Sequence, residues 1–305
     1  MGDSLLAMSC VISSGRRVVR VCAAGRIVLA TAVVILGATG AWAASDLGAS
    51  ATLADIEACV SRNLPEAAGV IEFRVDAIDR TGVVTESRAQ LRWRKPENEP
   101  TRILLVVSEP AQTAGTALLI IDRDADGPEF FVSLPEMKKV KRIRSRRLRG
   151  PVLGTDFSYE DLQRFREPLD RTLLDLIGTA EVEGQPAWLL ETVLDEDDAS
   201  QYSRVLTYVD QMSCLPVRIA LYESGADGSD RLRKQLDAPL GEIRPVATEG
   251  TTYLPYELVM RDLRRKTRTV VRIERFETSS DLSVDQFTQA ALQKSLRSPP
   301  AAPEP

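Results

Sequence analysis

Histidine is absent from the whole 305-residue chain. Without it, Ser-His-Asp and Cys-His nucleophilic sites and the usual catalytic zinc sites cannot be built. The sequence also lacks a Gly-rich phosphate loop of the Walker or dinucleotide type, and its many carboxylates show no pattern that defines an acid–base pair. These absences argue against an enzyme, and we predict neither catalytic residues nor a bound cofactor.

A complete metal-binding motif is missing as well. Residues 122–127, which read Asp-Arg-Asp-Ala-Asp-Gly, match only the opening of a calcium-binding loop. Position twelve of such a loop would be Ser133, where calcium needs a bidentate glutamate, and the flanking segments read as strands. A solvent-exposed hairpin turn is therefore the preferred interpretation, and no metal ligand is assigned.

Long hydrophobic runs are limited to one, near the N-terminus. Four arginines precede an uncharged apolar stretch at residues 27–41, which ends in Ala41-Trp42-Ala43. The stretch is shorter than the roughly 20 residues of a spanning helix, and small residues at its end are typical of a signal-peptide cleavage site. We therefore predict a signal peptide at residues 1–43, cleaved after Ala43, and a soluble exported protein.

Cysteine is scarce, and the signal peptide takes half of it away. Cys10 and Cys22 leave with that segment, so the exported chain keeps Cys59 and Cys214. An oxidising compartment favours a disulfide between the two. The alternative is a pair of buried thiols too far apart to react, because a bridge requires Cα atoms within about 7 Å.

The rest of the chain has the pattern of one mainly β domain. We assign it residues 44–294 and interpret the Pro-rich residues 295–305 as a disordered tail. Apolar residues at helical spacing predict a short helix at residues 53–60, behind a Thr52 cap. Beyond it, alternation of apolar and polar residues predicts half-buried strands that follow one another without a βαβ period.

Two predicted strands, residues 103–107 and 118–121, are apolar at every position. Both of their faces must be covered, either by ordinary core packing or by a plug or ligand on one side of a curved sheet. The candidate residues for lining a cavity or the core are Leu104, Val106, Leu119, Ile121 and Phe131. The candidate plugs are Tyr159–Phe165 and Asp170–Ile177, and a terminal helix is predicted at Val284–Leu292.

Positive charge is concentrated in one run, although the chain as a whole carries a net charge of −5. An exposed run of this kind suits an anionic lipid headgroup or an acidic partner, and a solvated hairpin is the open alternative. Nucleic acid is disfavoured, because the protein is exported and no aromatic residues interleave the cations. The candidate docking residues are Lys138, Lys139, Lys141, Arg142, Arg144, Arg146 and Arg147.

An acidic aromatic block, residues 154–162, follows the basic run. It reads Gly-Thr-Asp-Phe-Ser-Tyr-Glu-Asp-Leu, and either Asp156 or Ser158 can cap a helix whose first turn carries Glu160 and Asp161. The residues that define the block are Gly154, Thr155, Asp156, Phe157, Tyr159, Glu160 and Asp161.

The block, with Leu134-Pro135 and the basic run before it, resembles LolA-like proteins that sort lipoproteins to the outer membrane. The resemblance extends from about Cys59 to Phe276. It implies a curved antiparallel half-barrel of the LolA/LolB type, closed by helices over an apolar cavity in a periplasmic protein. It also implies a lipid or lipoprotein acyl chain as cargo and an inner-membrane export system, such as an RND-type transporter, as partner.

Two functions are carried forward on these grounds. The first is a periplasmic carrier that holds a lipid, an acyl chain or a similar hydrophobe and shuttles it between membranes or to and from a transporter. The alternative is a periplasmic regulator or sensor of the same fold that binds a membrane signalling protein. A regulator would need a second interaction domain, and the continuous strand pattern up to Phe276 leaves no room for one.

Overall fold

A computed structural model describes residues 51–63, 68–96, 99–122, 127–144, 147–166, 174–194, 200–248, 250–278 and 282–296. All of these belong to one unit, which begins at Ala44. The predicted signal peptide, most of the calcium-like string, Arg146 and nearly all of the Pro-rich tail lie outside the described residues.

Strands dominate the described structure. The three helices are α1 (Leu53–Ser61), α2 (Tyr159–Arg166) and α3 (Gln289–Ser295), and single 3₁₀ turns lie at Pro135–Met137, Leu240–Glu242 and Val284–Phe287. In chain order the strands are β1 (Ala68–Ile78), β2 (Val84–Arg94), β3 (Arg102–Glu109), β4 (Ala117–Ile121), β5 (Glu129–Leu134), β6 (Lys139–Ile143), β7 (Leu174–Val182), β8 (Gln185–Val193), β9 (Arg204–Asp210), β10 (Pro216–Ser224), β11 (Asp230–Asp237), β12 (Ile243–Thr248), β13 (Gly250–Pro255), β14 (Glu257–Asp262) and β15 (Thr267–Thr278).

Thirteen of these strands form one open sheet. Their order is β6-β5-β4-β3-β2-β1-β15-β14-β11-β10-β9-β8-β7, and β12 and β13 form a separate hairpin. The strand pairs are antiparallel. Since β6 and β7 are edges that do not pair with each other, the sheet is not closed, and the predicted antiparallel half-barrel is confirmed.

The register defines two faces, which we call inner and outer. Leu91, Leu105, Leu118 and Val132 are successive cross-strand neighbours, so they share one face. This is the inner face, and it carries the main buried cluster together with α2. Residues of opposite parity, such as Leu104 and its partner Leu119, point to the outer face.

Helix α1 covers the β7 end of the inner face. Thr52 and Asp55 form a reciprocal capping box, which fixes where the helix begins. Ile56, Cys59 and Val60 then pack on apolar side chains of β7, β8 and β9. The helix predicted at residues 53–60 is confirmed.

Helix α3 lies on the outer face, where it covers the β3–β5 region. Phe287 and Leu292 are almost completely buried against that part of the sheet. The predicted continuous helix at Val284–Leu292 is instead a 3₁₀ turn followed by α3, because the extended Thr288 interrupts it and caps α3 by accepting a hydrogen bond from the Ala291 amide at 3.1 Å.

The five candidate residues for lining a cavity or the core all belong to this outer-face cluster. Their strand positions have the parity of the outer face, so their side chains point away from the inner face. The five are Leu104, Val106, Leu119, Ile121 and Phe131.

One other expectation is corrected. The described part of the second candidate plug, Leu174–Ile177, begins strand β7, where Leu174 is buried beneath α1. Strand β6 carries part of the basic run and forms five residue pairs with β5, so that part of the run is the second strand of a hairpin. Among the described residues, no helix combines the length and apolarity that a membrane crossing requires.

Candidate functional site

A cavity of about 760 Å³ lies on the inner face. Most of its wall consists of inner-face side chains of β1, β2, β3, β4 and β15, with single residues of β5, β13 and β14, and helix α2 and the loop before it close one side. The first candidate plug, Tyr159–Phe165, therefore does border the cavity. The volume lies within the roughly 300–1,000 Å³ that is typical of ligand pockets.

The wall is apolar, and none of the described residues that form it is charged. Its polar side chains are the hydroxyls of Thr85, Ser87, Thr113, Thr116 and Thr155. Many apolar wall residues keep part of their surface exposed even though they face inward. They are Ile71, Leu91, Ile103, Leu105, Leu134, Leu153, Leu162, Phe165, Leu258, Val271 and Ile273.

Partial exposure of so many apolar side chains has a direct consequence. A sheet packed solidly on its core would bury them completely, as Leu104, Leu119 and Phe131 are buried on the outer face beneath α3. The partly exposed side chains that face the cavity instead keep hydrocarbon surface available to a ligand. An apolar ligand placed there would remove that surface from water.

Two cations of the basic run stand at the β6 edge of this same face. Lys139 is the cross-strand partner of Leu134, which lines the cavity, and Lys141 is the partner of Val132. Directly opposite residues have Cβ atoms about 4.5–5.5 Å apart and point to the same side. The inner apolar surface therefore ends in two exposed lysines.

The rest of the basic run is distributed differently. Arg142 points to the outer face and pairs with Glu129, with 2.7 Å between nitrogen and oxygen. Lys138 is exposed in a left-handed conformation, with φ of 47°, and Arg144 and Arg147 are exposed in the connection to α2. A lysine-rich edge strand also discourages edge-to-edge pairing with other chains, which is the structural alternative to a docking role.

The acidic aromatic block builds the N-terminal end of α2. Gly154 adopts a φ of 80°, a conformation that favours glycine, as the chain turns towards the helix. Ser158 caps the helix, since its Oγ accepts a hydrogen bond from the Asp161 amide at 3.2 Å while its own amide donates to Asp161 Oδ2 at 2.7 Å. Of the two predicted caps, Ser158 is the one used.

Asp161 is completely buried and is held by two buried partners. Lys234 Nζ lies 2.7 Å from Asp161 Oδ2, and the Tyr202 hydroxyl donates to Asp161 Oδ1 at 2.6 Å. Burial, and secondly the Asp161 carboxylate, raise the pKa of Tyr202 well above its usual value. The tyrosine is therefore a stable neutral donor, and the three groups fasten α2 to β11.

Asp156 makes a second attachment of the same segment. Its carboxylate accepts hydrogen bonds from Thr269, at 2.9 Å, and from Thr267, both on β15. Its carbonyl oxygen accepts a further bond from Lys234 at 2.8 Å. The polar groups of the block thus hold α2 and the preceding loop on the sheet.

The block also contributes to the cavity itself. Gly154, Thr155 and Phe157 line it, while Tyr159 packs edge-on against Phe130, and Glu160 accepts hydrogen bonds from Ser200 and the Gln201 amide. Sequence reasoning found the block but missed its partners. Lys234 lies in a charged stretch, Asp230–Asp237, whose composition resembles an exposed loop, so no local signal marked it.

Cys59 and Cys214 form a disulfide in the structure, with Cα atoms 5.4 Å apart. The bridge joins α1 to the turn between β9 and β10. Asn63 supports the same junction by donating a hydrogen bond to the Ser213 carbonyl at 2.6 Å.

In the described part of the chain, no three His, Cys, Asp or Glu side chains are grouped closely enough to hold a metal ion.

Comparisons with known proteins agree with this architecture. A family model described as "Uncharacterized protein" matches residues 99–294, which is more than half of the chain. No curated protein matches the sequence.

Several solved structures share the fold. An outer membrane lipoprotein-sorting protein domain from Vibrio parahaemolyticus has a TM-score of 0.66 and 19% identity, covering 78% of this chain and 96% of its own. A DUF1329 family protein from Desulfovibrio piger has a TM-score of 0.68 and 21% identity, with coverages of 78% and 96%. A LolA superfamily protein from Nitrosomonas europaea has a TM-score of 0.57 and 18% identity, with coverages of 77% and 98%.

These similarities extend over nearly the full length of each solved structure and over 77–78% of this chain. They confirm the resemblance to LolA-like proteins, and at these identities they establish the fold. The chain belongs to the family of uncharacterized proteins whose model matches residues 99–294, and its fold is that of the LolA-like outer-membrane lipoprotein-sorting proteins.

Proposed function

We propose that the protein is a periplasmic carrier that holds the acyl chain of a lipid or lipoprotein in the inner-face cavity and shuttles it between membranes. The observation that carries this proposal is the cavity of about 760 Å³, whose described wall is uncharged and apolar and keeps part of its surface exposed. A binding function of this kind requires no catalytic group.

The energetics suit reversible transfer. Each methylene removed from water contributes about 0.8 kcal/mol, so a chain of ordinary length gains enough free energy to leave water. A single myristoyl chain partitions into a membrane with a constant of only about 10⁴ M⁻¹, so a protein cavity can compete with a bilayer for it. Uptake and release then need no covalent step.

The position of Lys139 and Lys141 favours an amphiphile with an anionic headgroup. Both lysines follow directly on the apolar inner surface and lie at its open edge. A chain lying across the cavity can therefore place a phosphate or carboxylate beside them. Under this proposal the headgroup contributes orientation, and the hydrocarbon contributes most of the binding free energy.

The disulfide supports the proposed compartment, because such bridges persist mainly in exported proteins. Cleavage after Ala43 and a membrane partner such as an RND-type export system remain predictions.

Filling the cavity tests the carrier proposal. Ser87 lines the cavity, whereas the adjacent Glu86 on the same strand points to the outer face and is exposed. Ser87→Trp should weaken uptake of a fluorescent fatty acid by about tenfold or more, because the indole takes up cavity volume. Glu86→Trp, the matched control, should bind as the parent protein does.

Native mass spectrometry of gently purified protein, followed by organic extraction, should also reveal a lipid or lipoprotein adduct. Absence of both a copurified hydrophobe and probe uptake would contradict the carrier proposal. Copurification of a membrane signalling protein with the empty chain would favour the regulator instead.

A further inference from the structure

One end of the sheet gathers several connecting segments beside the cavity. Because the strands alternate in direction, the turns β1–β2, β5–β6 and β14–β15 all lie at the same end. Ile78, at the end of β1, pairs with Arg268, at the start of β15, so two of these turns are immediate neighbours. We call residues 79–84, 135–139 and 263–268 together the rim.

Exposed apolar side chains are concentrated on the rim. Among the described residues, seven large hydrophobic side chains are exposed, and four of them belong to the rim. Val83 is 62% exposed, Val84 54%, Met137 42% and Leu263 44%. Exposed hydrophobic residues grouped at one end of a molecule are typical of an interaction site rather than of a random surface.

Cations surround these side chains. Arg80, Lys138, Lys139 and Lys266 are exposed, and within the described residues none of them forms an ion pair with a carboxylate. The β14–β15 turn adds three exposed arginines, Arg264, Arg265 and Arg268. Of these, Arg264 lies 3.3 Å from Glu223 and Arg265 lies 3.9 Å from Asp156. Positive charge is thus concentrated on the rim of a chain that is acidic overall.

The turns are built to hold these residues in place. In the β1–β2 turn, Asp79 Oδ1 accepts hydrogen bonds from the Thr81 amide and hydroxyl and from the Val83 amide, at 2.7–3.0 Å. In the β14–β15 turn, Asp262 Oδ1 accepts bonds from the Arg265 amide and from Arg233 Nη1, both at 2.8 Å. The exposed side chains therefore project from turns whose backbones are fixed by buried or local hydrogen bonds.

The cavity extends towards this end. Ala77 and Thr85, which flank the β1–β2 turn, line it, and so do Pro110 and Thr113 in the β3–β4 connection. An ideal Cβ at Gly115, in that connection, would lie 3.4 Å from Pro135 Cγ, so the β3–β4 and β5–β6 connections are close neighbours. Whatever binds the rim consequently lies next to the end of the cavity.

We propose that the rim is a docking surface for a lipid bilayer that carries anionic headgroups. Val83, Val84, Met137 and Leu263 enter the interfacial region, and the surrounding lysines and arginines bind the headgroups. Amphiphilic surfaces of this kind bind membranes through apolar insertion combined with attraction to anionic lipid. Docking would bring the cavity end onto the bilayer, where a hydrophobe could pass without crossing water.

This inference deepens the carrier proposal but does not require a bound cargo. Vesicle sedimentation tests it, using phosphatidylcholine vesicles with about one third phosphatidylglycerol, and phosphatidylcholine alone for comparison. The exported chain should bind the anionic vesicles at low salt, bind the neutral ones about tenfold more weakly, and lose affinity as salt rises.

Two sets of variants separate the components of binding. Val83→Ser/Val84→Ser should reduce vesicle affinity about tenfold, whereas Met212→Ser, at an exposed apolar residue in the β9–β10 turn at the opposite end, should not. Arg264→Glu/Lys266→Glu should remove most of the salt-dependent binding. The control Arg275→Glu, far from the rim near the C-terminal end of β15, should remove little.

Failure of docking and failure of cargo binding are distinguishable. Ser87→Trp should still sediment with anionic vesicles, and Val83→Ser/Val84→Ser should still take up the fatty acid probe from solution. Absence of vesicle binding by the parent protein at low salt would overturn the docking proposal. The docking proposal would also be overturned if the rim variants and their controls lost vesicle affinity equally. The same holds if the chain bound a protein partner but did not bind vesicles.

Discussion

At the residue scale, Lys234 is a buried and fully paired group that sequence reasoning did not single out. Its ammonium is buried and contacts both Asp161 Oδ2 and the Asp156 carbonyl. A buried charge is tolerated only when it is paired and hydrogen-bonded, so each partner depends on the other. The conspicuous acidic block thus has a positioning role for α2, and its counterpart lies about 75 residues later in the chain.

Removing both partners should therefore cost less than the two single removals added together. Lys234→Met leaves Asp161 without its cation and should lower the free energy of unfolding by about 3–5 kcal/mol. Asp161→Asn/Lys234→Met should lose less than the sum of the two single variants, because neither charge is then left unpaired. Urea denaturation of the four proteins measures this difference, and strict additivity would show that the pair is not coupled.

At the element scale, what the sequence could predict depends on periodicity. Helix α1, the capped α2 and the fully apolar strands followed from spacing and capping residues. The sequence could not say which face of β3 and β4 meets the cavity, because parity within a strand is fixed only relative to its neighbours. Strand β11 was missed for a different reason, since its buried Arg233, Lys234 and Asp237 have the composition of a solvated loop.

The assignment of helices to opposite faces predicts opposite effects. Phe287 is fully buried on the outer face, so Phe287→Ala should lower the free energy of unfolding by about 3–5 kcal/mol without changing probe affinity in the protein that remains folded. Phe165 lines the cavity from α2 and is only partly buried. Phe165→Ala should cost less stability but weaken probe binding.

Thermal unfolding of both variants measures their stability. Fatty acid titration, at a temperature at which both variants are folded, measures their binding. The expected pattern is one stability defect with normal binding and one binding defect with moderate stability. If Phe287→Ala abolished probe binding while Phe165→Ala left it intact, the cavity would have to be reassigned to the outer face.

At the scale of the whole molecule, long-range attachments hold the two ends of the described chain to the sheet. The 13-stranded sheet pairs β1 with β15, so segments near both termini lie at its centre. Helix α1 is anchored to the β9–β10 turn by the disulfide, and Asn63 accepts a further hydrogen bond from the Tyr253 amide of the β12–β13 hairpin at 2.8 Å. Local sequence patterns cannot encode such contacts, and only the pairing of two remaining cysteines suggested one of them.

The last prediction concerns that disulfide and the compartment in which it forms. The bridge closes a sequence separation of 155 residues. Loop closure on this scale stabilises a protein by up to about 5 kcal/mol in the chain-entropy description, so Cys59→Ser/Cys214→Ser should unfold at a distinctly lower urea concentration. The variant should still bind the fatty acid probe while folded, because neither cysteine lines the cavity.

Exported protein should begin at Ala44 on N-terminal sequencing and show no reactive thiol after denaturation without reductant. Two titratable thiols in that chain would show that Cys59 and Cys214 remain unpaired in the compartment where the protein works.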